Sequence, residues 1–335
     1  MTEKIKAIQF GCGHVGCAVA KLANKRQNIE LIGAVDVDPA KVGKDLGEVM
    51  GTGQLTGIVI TDNINEILAN QKVDVVFHQT ASTMKTVTPQ LVQLVVLGLN
   101  VVSSAEELSY PYIANDDLAK AVDDAAKSHN VSVLGTGINP GFLMDTWPIA
   151  MTAVCEQVTY VKSIRVQNAM TRRLPFQKKI GAGCNMTEFD ELVAAKTLRH
   201  VGLTESMYMI AAGLGWEMDN VTESIAPVIA KEPAQSQYIT VKPGQAAGVR
   251  QVGLGYIGDK EVMRLEFEAS LIAPESYDAV YITGTPGIEA VIKGGVHGDI
   301  GTASMVVNCA HRVVNAQPGL VTMNNLPLVS CWADK

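Results

Sequence analysis

The chain has no Cys-x-x-Cys pair, no histidine and carboxylate spacing of the kind that holds a metal, and no basic tract. Each absence removes a class of function. Six cysteines, Cys12, Cys17, Cys155, Cys184, Cys309 and Cys331, are scattered along 335 residues, so a structural zinc site is not expected and the thiols read as reduced and mostly buried. A formal net charge of -7 speaks against nonspecific nucleic-acid binding. An apolar segment begins by Ile5 with no cleavable leader ahead of it, so neither secretion nor membrane insertion is expected and a cytoplasmic protein is. There is no internal repeat and no low-complexity segment. Hydrophobic residues at 47% and charged residues at 18% are ordinary for a soluble globular enzyme, and the length suits two domains.

What is present starts with Ile8 to Phe10, a short buried strand, followed by Gly11, Cys12, Gly13, His14, Val15 and Gly16, a GxGxxG turn into a helix with Val15, Ala18, Val19 and Leu22 on one face. The first glycine permits the tight turn, the second lets the backbone approach a pyrophosphate, and the third lets helix and strand pack closely. The helix N–H groups then point at the phosphates. A second strand, Leu31 to Val35, delivers Asp36, whose carboxylate suits the adenosine ribose hydroxyls. Its charge repels a 2′-phosphate, which favours NAD, while the nearby Lys41 and Lys44 soften that repulsion and leave NADP possible. Cys12 in this turn is read as the filler of a small position ahead of a reactive thiol.

Strands and helices keep alternating: strands at Ile58 to Ile60, Asp74 to Phe77, Val101 to Ser104 and Val131 to Leu134, with helices from Ile64 to Asn70, from Pro89 through Leu99, and from Asp116 to Ser128. Six strands make a doubly wound parallel α/β sheet of the Rossmann type over residues 1–140. Ligands bind such sheets outside the carboxyl ends of the strands, which singles out Thr80, Ala81 and Ser82, the Ser103 to Glu107 turn, and Asn139. The hydroxyls at Thr80 and Ser82 equally suit capping of the next helix. From 141 to 300 the alternation gives way to an α+β pattern: helices at Phe142 to Cys155, Glu188 to Arg199 and Thr204 to Leu214, and strands at Val158 to Val166, Tyr238 to Val241, Val249 to Tyr256, Glu261 to Ile272 and Ala279 to Thr283. Such a domain suits substrate binding, and its open sheet suits a homodimer interface. The Thr302 to Val314 helix and the tail, 301–335, are expected to return to the nucleotide domain.

Longer motifs are more specific: SSAEELSYP at Ser103 to Pro111, GTGINPGFLMDTWPI at Gly135 to Ile149, RRLPFQKKIGAG at Arg172 to Gly183, RHVGLTESMYMIAAGLGW at Arg199 to Trp216, and GGVHGDIGTASMVVN at Gly294 to Asn308. In these the chain resembles the 2,4-diaminopentanoate dehydrogenases and native amine dehydrogenases, a branch of the dihydrodipicolinate reductase-like oxidoreductases. The resemblance implies interconversion of an amine and a ketone, with ammonia, using a nicotinamide cofactor. It departs at Trp147, where a smaller aliphatic residue is expected, and at Ala105, before the glutamate pair.

Reductive amination moves protons while ammonia attacks and water leaves, work for a carboxylate beside the nicotinamide. Glu106 and Glu107 both lie past the fifth strand, and neighbours in an extended segment face opposite ways. By analogy with sheet enzymes that use the second residue of this turn, Glu107 is favoured and Glu106 is the alternate. Asn139 suits the nicotinamide carboxamide or a substrate polar group, or an Asn-Pro turn. Arg165, Gln167 and Asn168, then Arg172, Arg173 and Lys178, form a basic region fit for a substrate carboxylate. Trp147 shapes the substrate end, and His200 is either a helix C-terminal cap or a substrate contact. His297 is a pocket lining or a turn residue, and His14 and His78 are cofactor or core contacts. Competing readings are a cyclic-imine reductase, whose histidine-rich stretch is missing, a sugar dehydrogenase, whose Glu-Lys-Pro turn is replaced by Ala105-Glu106-Glu107, and an NAD-sensing protein without turnover.

Overall fold

The structure is a computed structural model that describes residues 4–332. The chain divides into two compact units, one running to Phe142 and resuming at His297, the other Leu143–Val296. In the first, β1 (Ile5–Phe10), α1 (His14–Ala23), β2 (Ile29–Val35), α2 (Leu46–Met50), β3 (Ile60–Thr61), α3 (Ile64–Leu68), β4 (Val75–His78), α4 (Met84–Val96), β5 (Asn100–Ser103), α5 (Asp116–Ser128) and β6 (Ser132–Gly135) alternate. The second holds α6 (Thr146–Thr152), β7 (Gln157–Asn168), α7 (Leu174–Lys179), α8 (Met186–Ala194), α9 (Leu203–Leu214), β8 (Asn220–Ile229), β9 (Ala234–Gln235), β10 (Thr240–Val241), β11 (Ala246–Ile257), β12 (Lys260–Ser270), β13 (Tyr277–Thr285) and β14 (Ile288–Lys293). The chain then returns to the first unit as α10 (Gly298–Val314) and β15 (Gly319–Val321).

The first sheet runs β15-β6-β5-β4-β1-β2-β3, every pairing parallel. Its strands are covered on both faces, so β4 (Val75, Val76, Phe77, His78) and β6 are buried throughout, packed by Val87, Leu91 and Leu94 of α4 and Val122 of α5. The chain moves from β1 to β2 on one side and starts β4 on the other, so the switch point lies between the carboxyl ends of β1 and β4.

Several details differ from the sequence expectation. The sheet has seven strands, because the three buried residues of β15 pair with β6. Helix α4 starts at Met84, earlier than expected, and keeps Pro89 inside it beyond the first turn, where the proline removes one intrahelical backbone bond. Helix α8 stops at Ala194, held at its start by a reciprocal Asn185 and Glu188 capping box, so His200 lies beyond it and is no C-terminal cap.

The second sheet runs β14-β13-β7-β12-β11-β8 and is antiparallel except between β7 and β12. Strands β8 and β14 are its edges, half solvated, and neither was expected from the sequence. Along β7, Val161, Ser163, Arg165 and Gln167 are buried while Tyr160, Lys162, Ile164 and Val166 are half-exposed. One face is therefore covered, by a core that includes Phe189, Leu198, Val249 and Phe267, and it carries the strand's charged and amide side chains inward. Among the described residues no helix is long and apolar enough to cross a membrane.

Candidate active site

At the carboxyl end of β1, Gly11 has φ +89° and a Cβ there would stand 2.3 Å from the Gln79 carbonyl oxygen; a Cβ on Gly16 would stand 1.9 Å from that of Gly11. The fold itself demands these two glycines. Gly13 is different: it is exposed, and a Cβ on it would meet nothing within 4 Å. A glycine that the protein's own packing does not require, at the N-cap of α1, fits close approach of a pyrophosphate to the backbone. No acidic residue lies in the first turn of α1 to oppose an anion.

Asp36 is drawn into the same turn. Its Oδ2 accepts the Cys12 N–H at 2.7 Å and its Oδ1 the Asp38 N–H at 2.9 Å, and Lys41 Nζ stands 3.1 Å from Oδ2. Burial works to raise its pKa, but the Asp38 and Cys12 N–H groups and the Lys41 ammonium prevail and hold the carboxyl below the usual range. Burial, then the Asp36 charge, pushes the Cys12 thiol up to about 12, so it is an unreactive filler. All six cysteines are free. His14 is half-exposed beside the turn and lies 3.1 Å from Asp299 in the first turn of α10.

The ends of β4 and β5 are tied by a buried polar chain. The Ser103 hydroxyl accepts the Ala105 N–H at 3.1 Å and lies 2.9 Å from His78 Nδ1, while His78 Nε2 lies 2.8 Å from Gln90 Oε1, which also accepts the Thr80 hydroxyl at 2.6 Å. Gln90 Oε1 is an acceptor, so Nε2 carries the proton and Nδ1 accepts from Ser103. Burial, only partly offset by Gln90, pushes the His78 imidazole down to about 4. An unfolded histidine binds its proton near 6.5. Between these values the unfolded chain holds a proton that the folded one lacks, so stability is full above pH 6.5 and falls towards pH 4. The loss reaches about 3 kcal/mol at pH 4. Urea midpoints measured from pH 7 to 4 should fall less steeply in His78→Gln; identical slopes would remove His78 from acid sensitivity.

Neither Thr80 nor Ser82 caps α4 with its side chain; Glu107 does. Its Oε2 accepts the Met84 N–H at 2.8 Å, its backbone N–H donates to the Ser82 carbonyl at 3.1 Å, and Asn115 Nδ2 reaches Oε2 at 3.5 Å. Glu106, at the start of a 3₁₀ turn, Glu106–Ser109, is half-buried, and its carboxylate takes no hydrogen bond among the described residues. Ala81 packs against the core, and Asn139 is buried in the loop after β6.

In the second unit, Arg165 Nη1 grips Asp278 at 2.6 Å and Nη2 donates to the Val296 carbonyl at 2.9 Å. Gln167 Nε2 reaches the same carbonyl at 3.5 Å, and Arg172 Nη1 lies 3.4 Å from Gln167 Oε1, with its guanidinium 4.3 Å over the Phe176 ring. His200 stacks on Phe267 at 4.5 Å. Burial, then Lys179, Arg165 and Arg199, pushes its imidazole down to about 3, and its Nε2 has no hydrogen-bond partner among the described residues. Gln251 fixes the His200 backbone from both sides, accepting its N–H at 2.7 Å and donating to its carbonyl at 2.8 Å, and also bonds Glu223. Sequence reasoning missed Gln251, Phe267 and Asp278, although the alternation of β11, β12 and β13 puts them on buried positions. Asn168 closes a turn, bonding Ser276, Ala273 and Met170. Arg173 and Lys178 are exposed, and among the described residues no side-chain hydrogen bond or ion pair joins them or Trp147 to this cluster.

The profile of the 2,4-diaminopentanoate dehydrogenase C-terminal domain matches residues 142–335, and that of the dihydrodipicolinate reductase N-terminus matches residues 5–101. The 2,4-diaminopentanoate dehydrogenase of Acetoanaerobium sticklandii is 34% identical over 97% of this chain and 94% of its own length. The chain belongs to the 2,4-diaminopentanoate dehydrogenase family. An amine dehydrogenase of Streptomyces virginiae is 22% identical over 97% of the chain and 96% of its own length. The solved amine dehydrogenase of Mycobacterium smegmatis has the same fold, with a TM-score of 0.85 over 98% of both chains at 23% identity. As a member of this family the chain is an NAD(P)-dependent oxidoreductase acting on CH–NH2 groups. Among the described residues no group of three or more His, Cys, Asp or Glu is arranged to hold a metal.

Proposed function

We propose that the enzyme reversibly deaminates a small amine that also carries a carboxylate, in the manner of 2,4-diaminopentanoate, and aminates the matching ketone with ammonia. The observation that carries this is the Glu106 carboxylate, half-buried and without a hydrogen-bond partner among the described residues, just past the carboxyl end of β5, on the half of the sheet away from Asp36. The nicotinamide, when bound, supplies the hydride for the imine carbon. Glu106 takes a proton from ammonium so that neutral ammonia attacks, returns it to the carbinolamine oxygen as water leaves, and offsets the developing iminium charge. Glu107, bonded to the α4 N-terminus, keeps the turn in place. NAD is the preferred coenzyme, on the acidic charge at the carboxyl end of β2.

The second unit's cluster supports an acidic substrate. With Arg165 held on Asp278, the carboxylate contact falls to His200 Nε2, which has no hydrogen-bond partner among the described residues and is set in a cationic surrounding. Pairing of two copies across the half-exposed face of the second sheet completes this proposal; that face bears the Lys162, Glu266 and Arg250 ion pairs, polar groups that suit a wet interface. Assays with ammonia, NADH or NADPH and a panel of ketones test the function. A keto acid should exceed its neutral ketone analogue in kcat/KM by about tenfold or more, the worth of one charge-assisted hydrogen bond. Equal constants would point to a pocket for neutral amines bounded by Trp147.

A further inference from the structure

Three charged groups meet at the carboxyl end of β2. Lys41 Nζ stands 3.1 Å from Asp36 Oδ2 and 3.4 Å from Asp38 Oδ2, so two carboxylates share one ammonium and one negative charge is left over. A carboxylate offers about four lone-pair directions. On Asp36 the Cys12 N–H, the Asp38 N–H and Lys41 occupy three of them, which leaves room for one ribose hydroxyl and makes the residue chiefly a brace for the phosphate turn. The Asp36 side chain is 9% exposed, Lys41 26% and Asp38 44%, so an incoming ribose substituent meets Lys41 and Asp38 more readily than Asp36. Asp38 is itself fixed, its Oδ1 accepting the Ala40 N–H at 2.9 Å while Oδ2 faces the ammonium.

We propose that Asp38, acting through Lys41, sets the discrimination against a 2′-phosphorylated adenosine. Asp38 ties the ammonium down and supplies the unbalanced charge that repels the phosphate; Lys41 is the group that meets a 2′-phosphate when one binds. This rests on the dinucleotide reading and adds a second residue to the single acid that the turn's spacing had singled out. Lys44, exposed three positions further on, shares the charge of Lys41 but has no ion pair with either acid among the described residues, and it serves as the control.

The test is a fluorescence titration of NADH and NADPH, which measures binding without turnover, on the wild type and on Asp38→Asn, Lys41→Ala and Lys44→Ala. Asp38→Asn should raise relative NADPH affinity by about tenfold, and Lys41→Ala should lower it by about tenfold, as for a unit charge a few ångströms away in a partly solvated site. Lys44→Ala should move it much less. The ratio of kcat/KM values should follow the same order. An unmoved ratio in Asp38→Asn, or equal shifts in Lys41→Ala and Lys44→Ala, would overturn the proposal. A wild type that binds neither coenzyme would overturn the dinucleotide reading and this proposal together, a result that no variant could mimic.

Discussion

Glu106→Gln should lower kcat by about a hundredfold or more while NADH affinity and the thermal midpoint stay near wild type. The substitution keeps the size of the side chain and removes the base, and the Glu106 carboxylate accepts no hydrogen bond among the described residues whose loss would unsettle the turn. Glu107 gives the opposite pattern. Its Oε2 accepts the Met84 N–H that opens α4, so Glu107→Ala should cost about 0.5–2 kcal/mol of stability, the worth of a helix cap, with a smaller loss of turnover. Paired kinetics and melting curves on both variants decide the matter. Collapse of turnover in Glu107→Gln with near-normal Glu106→Gln would return the proton chemistry to Glu107, the residue that the analogy with other sheet enzymes favours. Near-normal turnover in both would end the carboxylate mechanism.

Asp278→Ala should destabilise the second unit by about 3–5 kcal/mol, because it leaves the Arg165 guanidinium buried and uncompensated. The two side chains are 3% and 1% exposed and joined at 2.6 Å, and Asp278 also accepts the Val296 N–H at 2.7 Å. Burial opposes both charges, and the pair holds them together against it. Urea unfolding followed by tryptophan fluorescence reads this unit through Trp147 and Trp216. The double substitution Arg165→Met with Asp278→Leu should recover most of the loss, since removing both charges removes the penalty. A loss below about 1 kcal/mol in Asp278→Ala would show that Arg165 does not depend on this partner, and would restore it as a direct contact for the substrate carboxylate.

The phosphate turn was legible because its constraints are local. Gly16 is set by the Gly11 carbonyl five residues before it and Gly11 by its positive φ, while the close approach of Gln79 to Gly11 comes from the neighbouring strand; the alternation of strand and helix then places Asp36 beside them. Family membership was legible for a different reason: it lies in motifs spread over most of the chain rather than in one turn. In β7, alternation put Arg165 and Gln167 on one face, and the structure puts both on the buried face.

Partners distant in sequence were not legible. Whether Glu106 or Glu107 turns towards α4 depends on where the first turn of that helix stands, some twenty residues earlier, and two adjacent acids look alike in any pattern. Arg165 read as a free cation because Asp278 lies on a strand 113 residues away, and only sheet register brings them to 2.6 Å. A helix cap was one of two readings of His200 because nothing local marks the end of α8 at Ala194; Gln251 and Phe267, from two other strands, fix it instead. By itself the sequence determined the nucleotide turn, the strand alternation and the chemistry available. Tertiary structure decided which charged groups pair with one another, because burial makes an uncompensated charge costly and only the folded sheets choose its neighbours.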